Sequence, residues 1–150
     1  MNNIKIIKPD DWHTHLREGE MLRAVIDSTA RTNSRCIAMP NLKEPITSSV
    51  LGIKYINEIE KIIDPKQLKI LLPFYLSHNL DLKDFEKSLL NNIFVGAKLY
   101  PQNATTNSEF GVENLDKIFP AIEILEKNNK PLLIHCEKSS KNIDIFDREK

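Results

Sequence analysis

Short apolar runs alternate with longer amphipathic segments along this chain, and no other feature of the sequence limits its fold more. Five runs predict strands at residues 4–7, 35–39, 68–76, 94–99 and 132–135. Between them, apolar residues recur at helical spacing and predict helices at 18–32, from a cap at Thr47 or Ser48 to 63, at 81–91 and at 114–128. This alternation indicates βαβ units and a parallel sheet.

The predicted strands are continuous apolar runs, which indicates burial on both faces, as in a barrel or a doubly wound sheet. A complete (β/α)₈ TIM barrel needs roughly 250 residues, whereas this chain has 150. We therefore expect residues 1–150 to form one portion of such an α/β barrel, with about four to five βα units, as a fragment or truncated form. The alternative is a small complete α/β domain with five parallel strands.

The charge and hydropathy of the chain limit the classes of partner and the location that we expect. The chain carries 21 basic and 21 acidic residues, so its formal net charge is zero and offers no electrostatic attraction to nucleic acid or an anionic membrane. The apolar run at 70–76 is too short to span a bilayer, and residues 1–11 do not resemble a signal peptide. We expect a cytoplasmic protein in which Cys36 and Cys136 are two buried, reduced thiols.

Two histidines follow the first predicted strand. In an extended backbone, His13 and His15 point to the same face, about 7 Å apart along the strand. Imidazoles at that spacing can bind one metal ion, zinc being a common choice. An HxH pair can also be two polar residues at a strand end. The position after a strand favours the metal, because barrel active sites lie at the carboxyl ends of the strands.

Two further residues occupy similar positions. His135 ends the last predicted strand and would face the same barrel mouth, although a lone histidine there can be a core residue. Lys98 lies inside an apolar strand, where an ammonium ion is costly to bury. It can extend its amine to water or pair with an acid. Alternatively, burial lowers its pKa, and the neutral amine captures carbon dioxide to become a carbamate that bridges two metal ions.

Several motifs together resemble dihydroorotases of the single-function bacterial type, within the amidohydrolase superfamily. They are PDDWHTHLR at 9–17, MPNL at 39–42, AKLYP at 97–101, NATTN at 103–107, LIHCE at 133–137 and IDIFDRE at 143–149. The match covers almost the whole chain in order. It implies that this is the N-terminal part of a (β/α)₈ barrel with two zinc ions per complete subunit.

The resemblance also implies roles for individual residues. His13, His15 and carboxylated Lys98 would bind one zinc, and Lys98 would bridge to a second zinc that His135 also binds. Two further groups, a second-metal histidine and the general-base aspartate, are expected beyond residue 150. We therefore expect no complete catalytic set, and no useful activity, in these 150 residues alone.

Substrate contacts are implied in the same way. Arg17 and Asn41 would hold a substrate carboxylate, a task that suits a bidentate guanidinium. Thr105 and Thr106 would lie on a mobile loop that closes over the substrate, although an ordinary polar loop or a helix-capping segment has the same composition. His78 matches no ligand of the family, and we expect it in a surface loop.

The implied reaction is the reversible cyclisation of N-carbamoyl-L-aspartate to L-dihydroorotate and water in pyrimidine (UMP) biosynthesis. This makes the intact protein a hydrolase of a cyclic amide and, by the same resemblance, a cytoplasmic homodimer. Two alternatives stay open: another cyclic amidase, such as a hydantoinase or allantoinase, and an inactive dihydroorotase-like scaffold. A carboxylate grip by Arg17 and Asn41 favours dihydroorotase over the other amidases.

Overall fold

A computed structural model describes residues 4–138, 140 and 142–149 of the chain. Strands and helices alternate throughout. In order they are β1 (Asp10–Thr14), α1 (Gly19–Thr32), β2 (Arg35–Ala38), α2 (Ser49–Glu60), β3 (Lys69–Leu71), β4 (Pro73–Tyr75), α3 (Leu82–Leu90), β5 (Gly96–Leu99), a 3₁₀ helix (Leu115–Ile118), α4 (Phe119–Lys127), β6 (Leu132–Ile134) and a second 3₁₀ helix (Ile145–Asp147).

The strands form two parallel sheets that follow one another along the chain. The first has the order β1-β2-β3 and the second the order β4-β5-β6. One predicted strand, 68–76, supplies both β3 and β4, because Leu72 separates the part that pairs with β2 from the part that pairs with β5. The parallel βα organisation predicted from the sequence is confirmed.

Local sequence explains where the helices begin. The Ser48 hydroxyl accepts a hydrogen bond from the Leu51 amide at the start of α2, as one of the two predicted caps requires. The Asp81 carboxylate accepts from two amides at the start of α3. The predicted helix at 114–128 divides into the 3₁₀ turn and α4, whose first turn contains Pro120. Proline fits there because the first-turn amides have no partner inside the helix.

The core lies between the strands and the helices. Phe74 of β4 is fully buried and makes edge-on contacts with Phe85 of α3 and Phe94, with ring centroids 4.8 and 5.1 Å apart. Such contacts fix the helix layer against the sheet, because aromatic pairs prefer edge-to-face geometry. The carboxyl ends of the strands are thereby held along one edge.

The first and last strands of the chain expose apolar side chains. Within the described residues β1 pairs only with β2, and β6 pairs only with β5. Trp12 in β1 and Ile134 in β6 are 55% and 53% exposed. Unpaired strand edges with exposed apolar groups are sites at which further polypeptide can pair.

The predicted position of the first strand is wrong. Ile4, Ile6 and Ile7 are exposed, and the first strand is Asp10–Thr14. Strand position is decided by pairing rather than by β propensity alone: the register joins Asp10 to Arg35, and the Arg35 guanidinium also binds the Asp10 carboxylate. His13 therefore lies within β1.

The expectation that both thiols are buried is also wrong, because only one of them is. Cys36 is enclosed in β2, whereas Cys136 follows β6 and is exposed. The difference arises because β2 is covered by neighbours on both sides and β6 on one side only. Among the described residues, no helix is both long and apolar enough to cross a membrane.

Candidate metal centre

The predicted ligands lie at the carboxyl ends of parallel strands. His13 is the last residue but one of β1 and His15 directly follows the strand, with their ring centroids 5.2 Å apart. Asp11 steadies this segment because its carboxylate accepts a hydrogen bond from the His13 amide at 2.9 Å. The two imidazoles are thus neighbours, as the HxH spacing predicts.

Lys98 lies in β5 and is only 2% exposed. Its Nζ lies 5.1 Å from the centroid of the Tyr100 ring, and no carboxylate pairs with it in the described part of the chain. Burial lowers the pKa of this amine. A buried lysine without a counter-ion favours its neutral form, which is the form that can react with carbon dioxide.

His135 follows β6 and approaches the same region. Its ring centroid is 6.0 Å from that of Tyr100, and its backbone amide donates to the Leu99 carbonyl of β5. Its Nε2 is 2.8 Å from the Glu137 carboxylate, and this hydrogen bond holds the pKa of Glu137 below its ordinary value. A carboxylate on one ring nitrogen orients the other toward a ligand, as in many metal-binding histidines.

The pKa values of His13 and His15 reflect burial and the charges of neighbouring residues. The pKa of His13 is lowered by burial and then by the charges of Lys98 and His135. The pKa of His15 is lowered to about 4, by burial first and then by the nearby charges of Arg17, His13 and Lys98. Each positive neighbour favours a neutral imidazole, which is the form that binds a metal ion.

The His15 pKa gives a direct prediction. In metal-free protein, the His15 ring should titrate with a midpoint near pH 4 and stay neutral at pH 6, where an ordinary histidine, with a pKa of about 6.5, is largely protonated. Because the folded pKa is lowered, acid favours the unfolded chain, so His15 should reduce stability as the pH falls from about 6.5 to 4. NMR of the ring protons, with His15→Gln for assignment, measures the midpoint; a value near 6.5 would contradict the burial described here.

The donor set fits a metal ion only if Lys98 takes part. Among the described residues, no group of three or more histidine, cysteine, aspartate or glutamate side chains is arranged to hold a metal. The His15 Nδ1 is nevertheless buried without a hydrogen-bond partner. Two neighbouring imidazoles and a buried amine make a nitrogen-rich site, to which a lysine carbamate would add the oxygen donors that zinc accepts.

Arg17 lies beside this site in an unusual conformation. Its φ is +59°, and its carbonyl accepts a hydrogen bond of 2.7 Å from the Tyr55 hydroxyl. The guanidinium Nη1 is buried and has no partner. Arg17 lines a cavity of about 470 Å³ together with Glu18, Thr106 and Asn107. An unpaired buried guanidinium nitrogen is suited to an anionic group of a ligand.

Asn41 and the 102–111 loop meet in the structure. Asn41 is buried, and its amide nitrogen donates to the Thr106 carbonyl at 2.8 Å. Thr106 is exposed and Thr105 partly buried, and the Thr105 amide donates to the Ser108 hydroxyl at 2.9 Å. The structure therefore brings Arg17, Asn41 and Thr106 to one place, with the Thr106 backbone rather than its hydroxyl in contact with Asn41.

Sequence reasoning did not identify Tyr75, Tyr100 and Asn107 as parts of this region. The Tyr100 hydroxyl donates to the Asn41 side-chain oxygen at 3.0 Å, and the Tyr100 ring stacks on Tyr75 with centroids 5.2 Å apart. Tyrosines at the ends of apolar strands were the available signal. His78 lies in a loop, as expected, where its Nε2 accepts a hydrogen bond from the Glu113 amide.

No family model matches the chain. A curated dihydroorotase from Buchnera aphidicola subsp. Schizaphis graminum is 44% identical over 150 residues, which is 99% of this chain and 43% of that protein. The chain is related by descent to the dihydroorotases. A dihydroorotase from Salmonella arizonae gives the same identity over 147 residues, 97% of this chain and 42% of the relative. The chain thus spans less than half the length of these curated dihydroorotases.

Solved structures agree with the dihydroorotase relationship. A Saccharomyces cerevisiae dihydroorotase in complex with 5-fluoroorotic acid matches with a TM-score of 0.86 and 31% identity, over 94% of this chain and 41% of the other. A Campylobacter jejuni dihydroorotase gives 0.83 and 31%, over 95% and 41%. An L-hydantoinase from Arthrobacter aurescens gives 0.65 at 15% identity, over 87% and 29%, which shows likeness of fold alone. The predicted fold class, an α/β portion of a (β/α)₈ TIM barrel, is confirmed.

Proposed function

We propose that this chain supplies part of the binuclear zinc site of a dihydroorotase, which interconverts L-dihydroorotate and N-carbamoyl-L-aspartate. The observation that carries the proposal is the meeting of His13, His15, Lys98 and His135 at one edge of the sheets, around a buried amine without a counter-ion. An ordinary lysine in a structural role would extend to water or pair with an acid. Sequence identity to dihydroorotases of 44% over the whole chain supports the proposal.

Zinc bound there would polarise the amide carbonyl and lower the pKa of water, so that attack becomes possible near neutral pH. In the proposal His13 and His15 would hold one ion and His135 a second, and Lys98, as its carbamate, would supply oxygen donors to both. The neutral state of His15 supports this assignment, since no proton has to leave the ring when metal binds. Glu137 would orient His135 through their 2.8 Å hydrogen bond.

Arg17 and Asn41 would hold the substrate carboxylate. The unpaired Arg17 Nη1 supports this role, as does the cavity that Arg17 shares with Thr106. The buried Asn41 side chain, held against the loop by its bond to the Thr106 carbonyl, also supports this role. The orotate derivative bound by the yeast dihydroorotase also carries a carboxylate, which supports this substrate class over a hydantoin.

The proposal extends to the rest of the protein. A further histidine and a general-base aspartate, which these 150 residues do not supply, would complete the site, so the chain would act as one portion of a larger barrel. We further propose a cytoplasmic homodimer whose partner is the small-molecule substrate, with no role for nucleic acid or membrane.

Turnover of L-dihydroorotate by the complete zinc-loaded protein tests the proposal. We expect ring opening to N-carbamoyl-L-aspartate, followed by loss of the substrate absorbance, and no turnover of hydantoin or allantoin at the same concentration. Metal analysis of the same sample should find two zinc ions per subunit. Full zinc loading without turnover would indicate an inactive scaffold, and preference for a neutral ring would indicate another cyclic amidase.

The Arg17 assignment has its own prediction. Arg17→Lys should raise KM for L-dihydroorotate by about 10- to 100-fold, because an ammonium group cannot donate the paired hydrogen bonds of a guanidinium. The matched control is Arg23→Lys in α1, where the arginine is exposed. Steady-state kinetics of the complete protein measures both. Equal KM values for Arg17→Lys and the wild type would remove Arg17 from the binding site.

A further inference from the structure

The 102–111 loop is a compact unit with its own internal hydrogen bonds. Its ends meet where the Gln102 amide donates to the Val112 carbonyl at 3.1 Å and the Val112 amide donates to the Tyr100 carbonyl at 2.7 Å. Inside the loop, Ser108 is fully buried and accepts from the Thr105 amide. Loops closed in this way behave as small bodies packed by their own side chains. The position of the loop therefore depends on its few hydrogen bonds to the rest of the protein.

Those bonds converge on Asn107 and its neighbour. The Asn107 side-chain amide donates to the Asn41 carbonyl at 3.0 Å, while the Asn41 side-chain amide donates to the Thr106 carbonyl at 2.8 Å. Asn41 thus accepts one hydrogen bond from the loop and donates another to it, and the bond from Asn107 spans 66 positions of sequence. A third bond runs from the Tyr75 hydroxyl to the Asn107 carbonyl at 3.3 Å.

The geometry points to Asn107 as a positioning residue that fastens the 102–111 loop to Asn41 and so closes one wall of the Arg17 cavity. Asn107 and Thr106 both line that cavity, so the fastening determines how far the wall stands from the guanidinium. The consequence for ligand binding rests on the function proposed above, whereas the fastening itself does not depend on it.

The fastening also fixes the Asn41 side chain. Its oxygen accepts from the Tyr100 hydroxyl and its nitrogen donates to the Thr106 carbonyl, so the amide plane is held at both ends. If Asn107 releases the loop, the Asn41 carbonyl loses its side-chain donor inside the protein, and the Thr106 carbonyl can move away. A buried carbonyl without a donor is costly, which favours the fastened state.

Asn107→Asp tests the fastening with almost no change in shape. Aspartate tolerates the left-handed backbone of this position, where φ is +54°, but an ionised carboxylate cannot donate to the Asn41 carbonyl. Asn103→Asp is the matched control: it adds the same charge to the same loop at a φ of +59°, and the Asn103 side chain is exposed. Its side chain makes no hydrogen bond to another described residue.

Hydrogen exchange of the backbone amides at 103–108 in the complete, ligand-free protein is the first measurement. Asn107→Asp should exchange on the order of tenfold faster than the wild type, the factor that loss of about one hydrogen bond produces, with an unchanged melting temperature. Asn103→Asp should exchange at the wild-type rate. Equal exchange in Asn107→Asp and the wild type, or equal acceleration in both variants, would overturn the proposal.

Binding of 5-fluoroorotate, followed by calorimetry, is the second measurement. Asn107→Asp should bind it about tenfold more weakly, whereas Asn103→Asp should bind it as the wild type does. Wild-type affinity in Asn107→Asp would overturn the role of the fastening in closing the cavity. Failure of the wild type itself to bind would count against the proposed function alone, because the exchange experiment needs no ligand.

Discussion

Lys98→Met should remove most of the bound zinc and lower turnover of L-dihydroorotate by about 10³-fold or more. Methionine keeps a side chain of similar length in the buried position but cannot form a carbamate, so the two metal ions would lose the group that joins them. Several kcal/mol of metal-derived transition-state stabilisation would go with them, and each 1.36 kcal/mol is tenfold in rate. Elemental analysis and steady-state kinetics of the complete protein measure the two effects.

The stability of the fold should be raised or unchanged in Lys98→Met. Lys98 is buried without a counter-ion, so its replacement removes an amine that is costly to bury. An unchanged or raised melting temperature of the metal-free variant separates loss of the site from loss of the fold. Lys69→Met is the matched control, since Lys69 also lies in a strand but is exposed. A Lys98→Met protein that keeps two zinc ions would contradict the bridging role.

Phe74→Ala should lower the free energy of unfolding by about 3–5 kcal/mol. The Phe74 ring is fully buried between Phe85 and Phe94, and its removal leaves a cavity at the contact between sheet and helix layers. Total stabilities of about 5–15 kcal/mol are usual, so this single change would remove a large share. Urea unfolding followed by circular dichroism measures the loss.

Phe146→Ala provides the comparison for the same change of side chain at an exposed position. Phe146 is 84% exposed, so its truncation should change the free energy of unfolding by no more than about 0.5 kcal/mol. Similar losses in both variants would mean that the Phe74 cluster does not join the two layers as described.

The order of strands and helices was predictable because it depends on local patterns. The continuous apolar runs at 35–39 and 94–99 contain the strands Arg35–Ala38 and Gly96–Leu99, and Ser48 caps α2 as expected. The first strand was misplaced because β-branched residues at 4–7 have high β propensity, whereas the paired segment contains two aspartates. The pairing with β2 that decides its position is a tertiary contact.

Part of the candidate site was likewise predictable from the sequence, and part was not. Histidines and a lysine at strand ends can be located from the sequence once the strands are known, because parallel strands end at one edge. The hydrogen bonds that join Asn41 to Thr106 and Asn107 could not be, since these residues lie 65 and 66 positions away and the contacts depend on how the loop folds back. The polar composition of residues 102–111 predicted a loop, but it did not indicate which residues that loop contacts.

The division of one stretch into β3 and β4 has a consequence for how the molecule melts. Because Lys69–Leu71 pairs with β2 and Pro73–Tyr75 pairs with β5, with only Leu72 between them, one short stretch of chain supplies an edge strand to each sheet. Neither sheet can unravel at that edge without taking away strand partners from the other. The two sheets therefore share one cooperative unit, and hydrogen exchange in β2 and β5 should report a common opening free energy although no hydrogen-bond ladder joins them directly.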